Sequence, residues 1–332
     1  MLLALGALAA LCLGLYRQYY SPSAFAERYL TLLSEGRAAD ALLLPGVRLD
    51  SATLNDAGLP TPTSDVLLRR DALAAITEIG RVSEEPGDEL TRVTLSYRVG
   101  GHDGEITFEV RAAEPIGFLP TWQFASSPLA VIDLTVTGSM DFTVNGFAID
   151  KRQLLTPEID VDVEAAEPQA LLVFSPGLYI VAVDNRLAKT SGVAVLSDRP
   201  LTGVPITVKA QPTEKFQEVV QAQVDGFLTA CTTQQVLQPT GCPFGYATSD
   251  RIMAPPTWSI PEFPQARLVP DGSSWRIPVT KSVAHIEAEA QALYDGSFYT
   301  ISEDVGFVMS AELDILPDQN VSISVSGRPA LE

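Results

Sequence analysis

A histidine and two glutamates recur at every second position between residues 285 and 289. Side chains two residues apart on a β-strand point to the same face, so His285, Glu287 and Glu289 would lie side by side. A histidine beside a carboxylate can serve as an acid-base pair, and the set could bind a metal weakly, although a structural zinc needs about four ligands. We expect this candidate polar cluster to be a solvated strand face, with no catalytic residue and no metal assigned.

The remaining residues that could take part in chemistry do not form a recognisable catalytic or ligand-binding motif. His102, the other of the two histidines, lies in a glycine-rich turn, where an exposed loop residue is expected. Asp160, Asp162 and Glu164 alternate as calcium ligands can, but the EF-hand spacing of glycine and final glutamate is missing, which favours a charged edge strand. The sequence lacks a phosphate-binding loop, a dinucleotide-binding motif, a nucleophile elbow and an HExxH motif. No cofactor is expected.

Two cysteines predict one covalent link. Cys231 and Cys242 are close in sequence and flanked by turn residues, which is typical of a structural disulfide formed in an oxidising compartment. Two buried free thiols are the alternative, because a free cysteine packs as a small apolar residue. Both readings leave the pair without a catalytic role.

Four aromatic residues raise the question of a binding groove. Trp122, Trp258 and Trp275 with Tyr246 could line a groove for a glycan or a proline-rich peptide. Large aromatic residues more often fill a core, and this is the role we predict for them.

The first twenty residues predict a membrane anchor. Met1 to Leu15 carries no charge, and Arg17 and three tyrosines follow it where lipid headgroups would begin. A cleaved signal peptide and a buried core helix are the alternatives, but no basic residue precedes the apolar run and the run has no polar face. The predicted localisation is therefore the cell membrane, single-pass, with the bulk of the chain extracytoplasmic.

Composition restricts the partners. Of 332 residues, 46% are hydrophobic, and 22 Lys+Arg against 41 Asp+Glu give a formal net charge of −19. A chain without a basic stripe cannot neutralise phosphates, so no nucleic acid is expected. Besides the membrane that would hold the predicted anchor, we expect an envelope protein, peptide or polymer as partner.

Hydrophobic periodicity predicts helices before strands. Residues 25–33 repeat at helical spacing behind Ser21, a short helical turn follows Gly36, and Val66 to Ile76 predicts a further helix. Residues 92–99 and 105–112 then alternate around a glycine-rich turn, which predicts a β-hairpin.

This opening resembles a known family. The run SPSAFAERYLTLLSEGRAADALLLPG, followed by helix and alternating strands, is similar to the beginning of NTF2-like (cystatin-like α+β) domains, which bacteria place outside the membrane behind one anchor. The segment CTTQQVLQPTGCPFGY resembles one found in uncharacterised actinobacterial single-pass envelope proteins. The resemblance implies either an enzyme with a carboxylate or an Asp/His pair in its cavity or a member without catalysis.

From Pro128 onward the pattern is one of short strands and turns. Asn145-Gly146 is a hairpin signal, and Ser175-Pro176-Gly177-x-Tyr179 resembles the turn of small Ig-like and PEGA-like modules. An amphipathic helix behind Thr213 then leads into a second meander of strands.

The predicted fold class is α+β, with an N-terminal transmembrane helix and two NTF2-like α+β domains flanking a small Ig-like β-sandwich. The predicted domains are the anchor 1–20, the NTF2-like domain 21–127, the sandwich 128–210 and a second α+β domain 211–332 that holds the disulfide.

The predicted function is a non-enzymatic, membrane-anchored binding or scaffold protein of the cell envelope. One alternative is an enzyme that uses an NTF2-like cavity, with His285 and Glu287 as the acid-base pair. The other is an envelope sensor whose cytoplasmic segment would lie upstream of Met1.

Overall fold

Strands dominate the architecture. A computed structural model describes residues 19–117, 119–154, 168–315 and 321–329. Of these residues, 48% lie in strands and 17% in helices. The predicted α+β class with two NTF2-like domains is therefore wrong, because the described residues form a β-rich fold with few helices.

The membrane prediction is also corrected. Within the four described ranges, no helix is both long enough and apolar enough to cross a membrane. For the described ranges, this finding corrects the predicted transmembrane helix in the fold class and the single-pass localisation. Residues 1–18 of the predicted anchor, including Cys12, lie outside the described residues.

The chain divides into two compact units that interleave along the sequence. Unit 1 comprises residues 1–136, 141–183 and 191–208, and unit 2 comprises residues 137–140, 184–190 and 209–332. Unit 2 therefore takes two short segments from inside the sequence of unit 1. The predicted boundaries at 127/128 and 210/211 stay predictions, because compactness describes contacts and not independent folding.

The first half of unit 1 packs a helix on a sheet. Its helices are α1 (Pro22–Ser34), α2 (Ala38–Leu42) and α3 (Ser51–Asp56), and its strands are β1 (Ile76–Pro86), β2 (Thr91–Val99), β3 (His102–Ile116) and β4 (Leu119–Phe124), which form one antiparallel sheet in sequence order. The Ser21 side chain caps α1 by accepting a hydrogen bond from the Ala24 N–H at 3.1 Å. The buried stripe of α1 and the strands share one hydrophobic core, which includes Tyr29, Leu33, Leu95 and Phe108. The space between helix and sheet is filled with apolar side chains.

The second half of unit 1 contains two further sheets. Its strands are β5 (Leu129–Thr137), β6 (Asp141–Val144), β7 (Phe147–Asp150), β8 (Gln169–Phe174), β9 (Gly177–Ala182), β11 (Val193–Ser197) and β12 (Gly203–Lys209), arranged as β12-β5-β8 and β11-β9-β6-β7. The predicted turn between β6 and β7 is confirmed, since Asn145 and Gly146 both have positive φ. The buried Tyr179 hydroxyl accepts a hydrogen bond from the Phe174 N–H at 2.9 Å, which fixes the turn between β8 and β9.

Unit 2 is built around a long β-hairpin. Its elements are β10 (Ala188–Lys189), β13 (Gln211–Pro212), α4 (Glu214–Thr232), β14 (Arg251–Ile252), β15 (Thr257–Ser259), β16 (Val269–Asp271), β17 (Ser274–Gln291), β18 (Phe298–Ile315) and β19 (Val321–Pro329). Strands β17, β18 and β19 pair in sequence order, and β14, β15 and β16 all pair with the other edge of β17. The predicted helix behind Thr213 is confirmed, with Thr213 accepting a hydrogen bond from the Phe216 N–H at 3.2 Å.

One predicted helix is wrong, and one predicted strand cannot be assessed. The interval from Val66 to Ile76 contains only the 3-10 turn Arg70–Ala72, and the backbone is extended at Leu73. Val66, Leu67 and Ala72 are buried there, so tertiary packing overrides the helical spacing. Asp160, Asp162 and Glu164 lie outside the described residues.

Candidate functional site

The predicted polar cluster forms on the solvent-facing side of the β17–β18 hairpin. The antiparallel register pairs His285 with Asp304 and Glu287 with Ser302. The His285 Nδ1 atom lies 2.7 Å from Asp304 Oδ1, and Nε2 lies 3.4 Å from Ser302 Oγ and 3.8 Å from Glu287 Oε1. Glu289 is four residues from His285, about 13 Å along the strand, and its cross-strand neighbour is Thr300.

Ser302, His285 and Asp304 stand in the order of a nucleophile, a base and an orienting carboxylate. The Asp304 side chain is 70% exposed, so water competes for its hydrogen bond to the imidazole. Backbone N–H groups of paired strands lie in the plane of the sheet and are used in the ladder, so they do not point to this face as donors for an oxyanion. The geometry therefore describes a cross-strand polar network more closely than a preorganised catalytic site.

The described residues do not form a metal-binding site. Among the residues that the structure describes, no group of three or more His, Cys, Asp or Glu side chains has a geometry that could hold a metal ion. Sequence reasoning missed Asp304 and Ser302 because their relation to His285 depends on the strand register. The turn residues Asp295-Gly296-Ser297 are the sequence signal from which this register can be counted.

The tryptophans do not line the groove that was the alternative to the predicted core role. Trp258 and Trp275 are buried in the core of unit 2, and Trp122 is half-buried in unit 1, where its Nε1–H donates to the Tyr20 carbonyl at 2.8 Å. Tyr246 differs, because it lies near the turn that joins β17 to β18. Its hydroxyl donates to Glu303 Oε1 at 3.2 Å.

A cluster of exposed apolar side chains occupies that end of the hairpin. We call it the tip patch, and its members are Met253, Leu293, Tyr294, Phe298 and Tyr299. Their exposed fractions are 44% for Met253, 69% for Leu293, 97% for Tyr294, 70% for Phe298 and 41% for Tyr299. A turn normally carries polar residues, so apolar residues on both sides of Asp295-Gly296-Ser297 are the sequence signal for this patch.

Local hydrogen bonds hold the tip patch in place. Ser297 donates from both its N–H and its hydroxyl to Asp295 Oδ1, at 2.9 and 2.7 Å, and Gly296 adopts a positive φ of 75°. The Ala292 N–H donates to the Ser297 carbonyl at 2.9 Å, which closes the turn. The Met253 N–H donates to the Glu289 carbonyl at 2.8 Å and ties the β14 edge to the hairpin.

Carboxylates lie beside the tip patch. Asp250 accepts hydrogen bonds from the Tyr299 hydroxyl at 2.6 Å and from the Leu293 N–H at 3.2 Å. The bond to Asp250 raises the pKa of Tyr299, and partial burial together with Glu303 raises the pKa of Tyr246. Both phenols therefore stay protonated near neutral pH and act as donors. The bonds from Ser297 lower the pKa of Asp295, so that carboxylate stays charged.

The predicted disulfide is present in unit 2. Cys231, in the last turn of α4, is bonded to Cys242, and the two Cα atoms are 5.8 Å apart. Between them, Gln234 accepts a hydrogen bond from the Thr240 N–H at 2.8 Å. The bridge fixes the loop that leads to Phe244, which packs against Trp258 and Phe307 in the core.

No family model, curated protein or solved structure matches this chain. A functional assignment therefore rests on the geometry of the described residues. The resemblance of residues 231–246 to actinobacterial envelope proteins stays a prediction.

Proposed function

We propose that this chain is a non-enzymatic binding protein and that the tip patch is its contact surface. The observation that carries the proposal is the clustering of five exposed apolar side chains at one hairpin end, of which Tyr294 is 97% exposed. Single exposed apolar residues are common on protein surfaces, but several at one end of a hairpin are typical of a binding surface. Tyrosine, phenylalanine and methionine are enriched in the cores of protein interfaces.

The rigidity of the turn supports the same role. Hydrogen bonds at Asp295 and Ala292 hold the backbone, so a partner would not have to order a loose loop. Binding that requires less ordering loses less conformational entropy, which favours affinity. The tip patch is therefore preorganised for contact.

Catalysis by His285 is the weaker proposal. The predicted acid-base partner Glu287 lies 3.8 Å from Nε2, whereas Asp304 makes the short contact to Nδ1. The predicted pair also lies on the solvent-facing side of the β17–β18 hairpin and not in a cavity, and the Glu287 side chain is 66% exposed. The sensor alternative, which needs a segment upstream of Met1, stays a prediction.

A matched pair of variants tests the binding role. Affinity capture from cells that express the chain should recover the same proteins with wild type and with Val279→Ser, and should lose them with the double substitution Tyr294→Ser/Phe298→Ser. Val279 is 70% exposed on β17 but lies far along the strand from the turn, so it controls for the loss of an exposed apolar residue.

Stability and direct binding complete the test. All three substituted positions are exposed, so each change should shift the free energy of unfolding by no more than about 0.5 kcal/mol. Recovered proteins are then purified and titrated against the three chains. Equal affinity for wild type and the double variant would reject the tip patch as the contact surface.

A further inference from the structure

We infer that the tip patch binds a protein segment that combines basic and apolar side chains. This inference rests on the proposed function and names the partner of the same surface. It follows from three features of the described residues: the composition of the patch, the charges around it and the donors that it presents.

The composition favours a protein partner over a glycan. Sugar rings stack on flat aromatic faces, whereas Leu293 and Met253 add flexible aliphatic surface that suits other side chains. Tyr294 and Phe298 are the most exposed members, and large exposed aromatic residues are typical of the residues that dominate interface energies. The patch thus resembles one side of a protein interface.

The surrounding charges select a basic partner. Asp250, Glu289 and Asp295 lie on the described segments that form the tip, with Arg251 beside them, and Glu303 lies four residues beyond Tyr299 on β18. Asp250 and Glu303 accept hydrogen bonds from tyrosine hydroxyls, and the bonds from Ser297 lower the pKa of Asp295, which keeps that carboxylate charged at neutral pH. Opposite charge on a partner speeds encounter and fixes orientation, whereas an acidic partner or an anionic lipid surface would be repelled.

Arginine matches this surface better than lysine does. A guanidinium can stack on an exposed tyrosine ring and at the same time donate two hydrogen bonds to a carboxylate. Tyr294 offers the ring, and Asp295 follows it directly in the turn. Binding should weaken as salt rises, because the screening length falls from about 8 Å at 0.15 M to about 3 Å at 1 M ionic strength.

A displayed library of random dodecapeptides tests the inference. The library is selected on the full-length wild-type chain and counter-selected on Tyr294→Ser/Phe298→Ser. We expect the enriched peptides to contain Arg or Lys together with aromatic or branched aliphatic residues. A synthetic peptide from that set should bind the double variant at least tenfold more weakly than wild type, and its affinity should fall with added salt.

Neutral variants of similar shape test whether the charge of the carboxylates contributes to binding. Asp250→Asn and Glu303→Gln keep side chains that can accept the tyrosine hydrogen bonds and should each weaken the peptide several-fold. Glu312→Gln, at the other end of β18, should leave the affinity unchanged. Equal weakening by all three substitutions would overturn the role of the local carboxylates.

The remaining outcomes show whether the basic partner alone, or the contact surface as well, is wrong. Tip-dependent peptides that are acidic or uncharged, or tip-dependent binding to a glycan array or to phosphatidylcholine vesicles, would overturn the basic partner and leave the contact surface in place. Absence of any tip-dependent enrichment, together with unchanged cellular capture, would overturn both.

Discussion

Lys151 is the residue at which burial and charge conflict most clearly. It lies in the 3-10 turn Lys151–Gln153 with 1% of its surface exposed, and its Nζ donates to the Val136 carbonyl at 2.5 Å. Burial lowers the pKa of Lys151 from 10.5 to about 8. The folded state therefore carries this cation at a free-energy cost at neutral pH.

The sign of the pH effect follows from the direction of this shift. Between about pH 8 and 10.5 the unfolded chain holds the Lys151 proton and the folded chain does not, so raising the pH favours the folded state. We expect the free energy of unfolding of wild type, minus that of Lys151→Met, to rise by about 2 kcal/mol between about pH 7.5 and 9.5. Denaturant titrations at each pH measure this difference.

An exposed lysine gives the control for this measurement. Lys281 lies exposed on β17, so Lys281→Met measures the effect of the same substitution without burial, and that effect is subtracted. A flat line for Lys151 after this subtraction would show that its pKa does not differ between the folded and unfolded chain.

The Cys231–Cys242 bridge is the element that limits the freedom of the α4–β14 connection. It closes a loop with a sequence separation of 11. By the chain-entropy estimate, losing it costs about 2.8 kcal/mol. We expect Cys231→Ser/Cys242→Ser to lower the free energy of unfolding of unit 2 by about this amount. The lower denaturant midpoint measures the loss.

Reductant supplies the matched control for the disulfide. Adding it should destabilise wild type to the level of the double serine variant and should leave that variant unchanged. Equal midpoints for oxidised and reduced wild type would show that native contacts, including the Gln234–Thr240 hydrogen bond, already hold the loop without the bridge.

Local signals in the sequence predicted some elements and missed others for identifiable reasons. The β2–β3 hairpin, the Asn145-Gly146 turn and α4 depend on short-range periodicity, turn chemistry and capping, and the structure confirms them. Strand β17 contains Pro278, which has no N–H to donate to the ladder. The structure places Pro278 in an irregularity between Ile277 and Thr280, where no ladder hydrogen bond is needed, and the strand continues.

The candidate site was predictable only in part. The turn at residues 295–297 and the same-face position of His285 and Glu287 follow from sequence spacing. The pairing of His285 with Asp304 follows only when the register is counted back from that turn, and the exposure of Tyr294 depends on which neighbours cover the side chain. That exposure is a tertiary property, and no local pattern in the chain specifies it.

At the scale of the whole molecule, unit 2 depends on two distant segments of sequence. The Ala210 N–H donates to the Thr137 carbonyl at 3.0 Å, and the Thr213 N–H donates to the Leu187 carbonyl at 2.9 Å. Strand β10 pairs with β13, and the Gly138 N–H donates to the Gly272 carbonyl at 2.9 Å. These bonds attach residues 137–140 and 184–190 to the beginning of α4 and to the β16–β17 turn.

A fragment experiment follows from this arrangement. Residues 209–332 alone lose all of these bonds, and at about 1 kcal/mol each the loss is large against a typical stability of roughly 5–15 kcal/mol. We expect the fragment to be digested by thermolysin much faster than unit 2 in the full chain. Residues 1–208, which contain every segment of unit 1, serve as the control and should resist digestion. Equal resistance of 209–332 would show that the two internal segments are dispensable.

The interleaving also sets an order of events during synthesis on the ribosome. Every residue of unit 1 has been translated by Val208, so this unit can close while the remaining chain is still being made. At roughly 5–20 residues per second, residues 209–332 take on the order of ten seconds to appear. Throughout that interval residues 137–140 and 184–190 must wait, exposed, for the strands and helix that will cover them. A nascent chain stalled in this window would present them to chaperones, and slow codons after position 208 would lengthen the exposure.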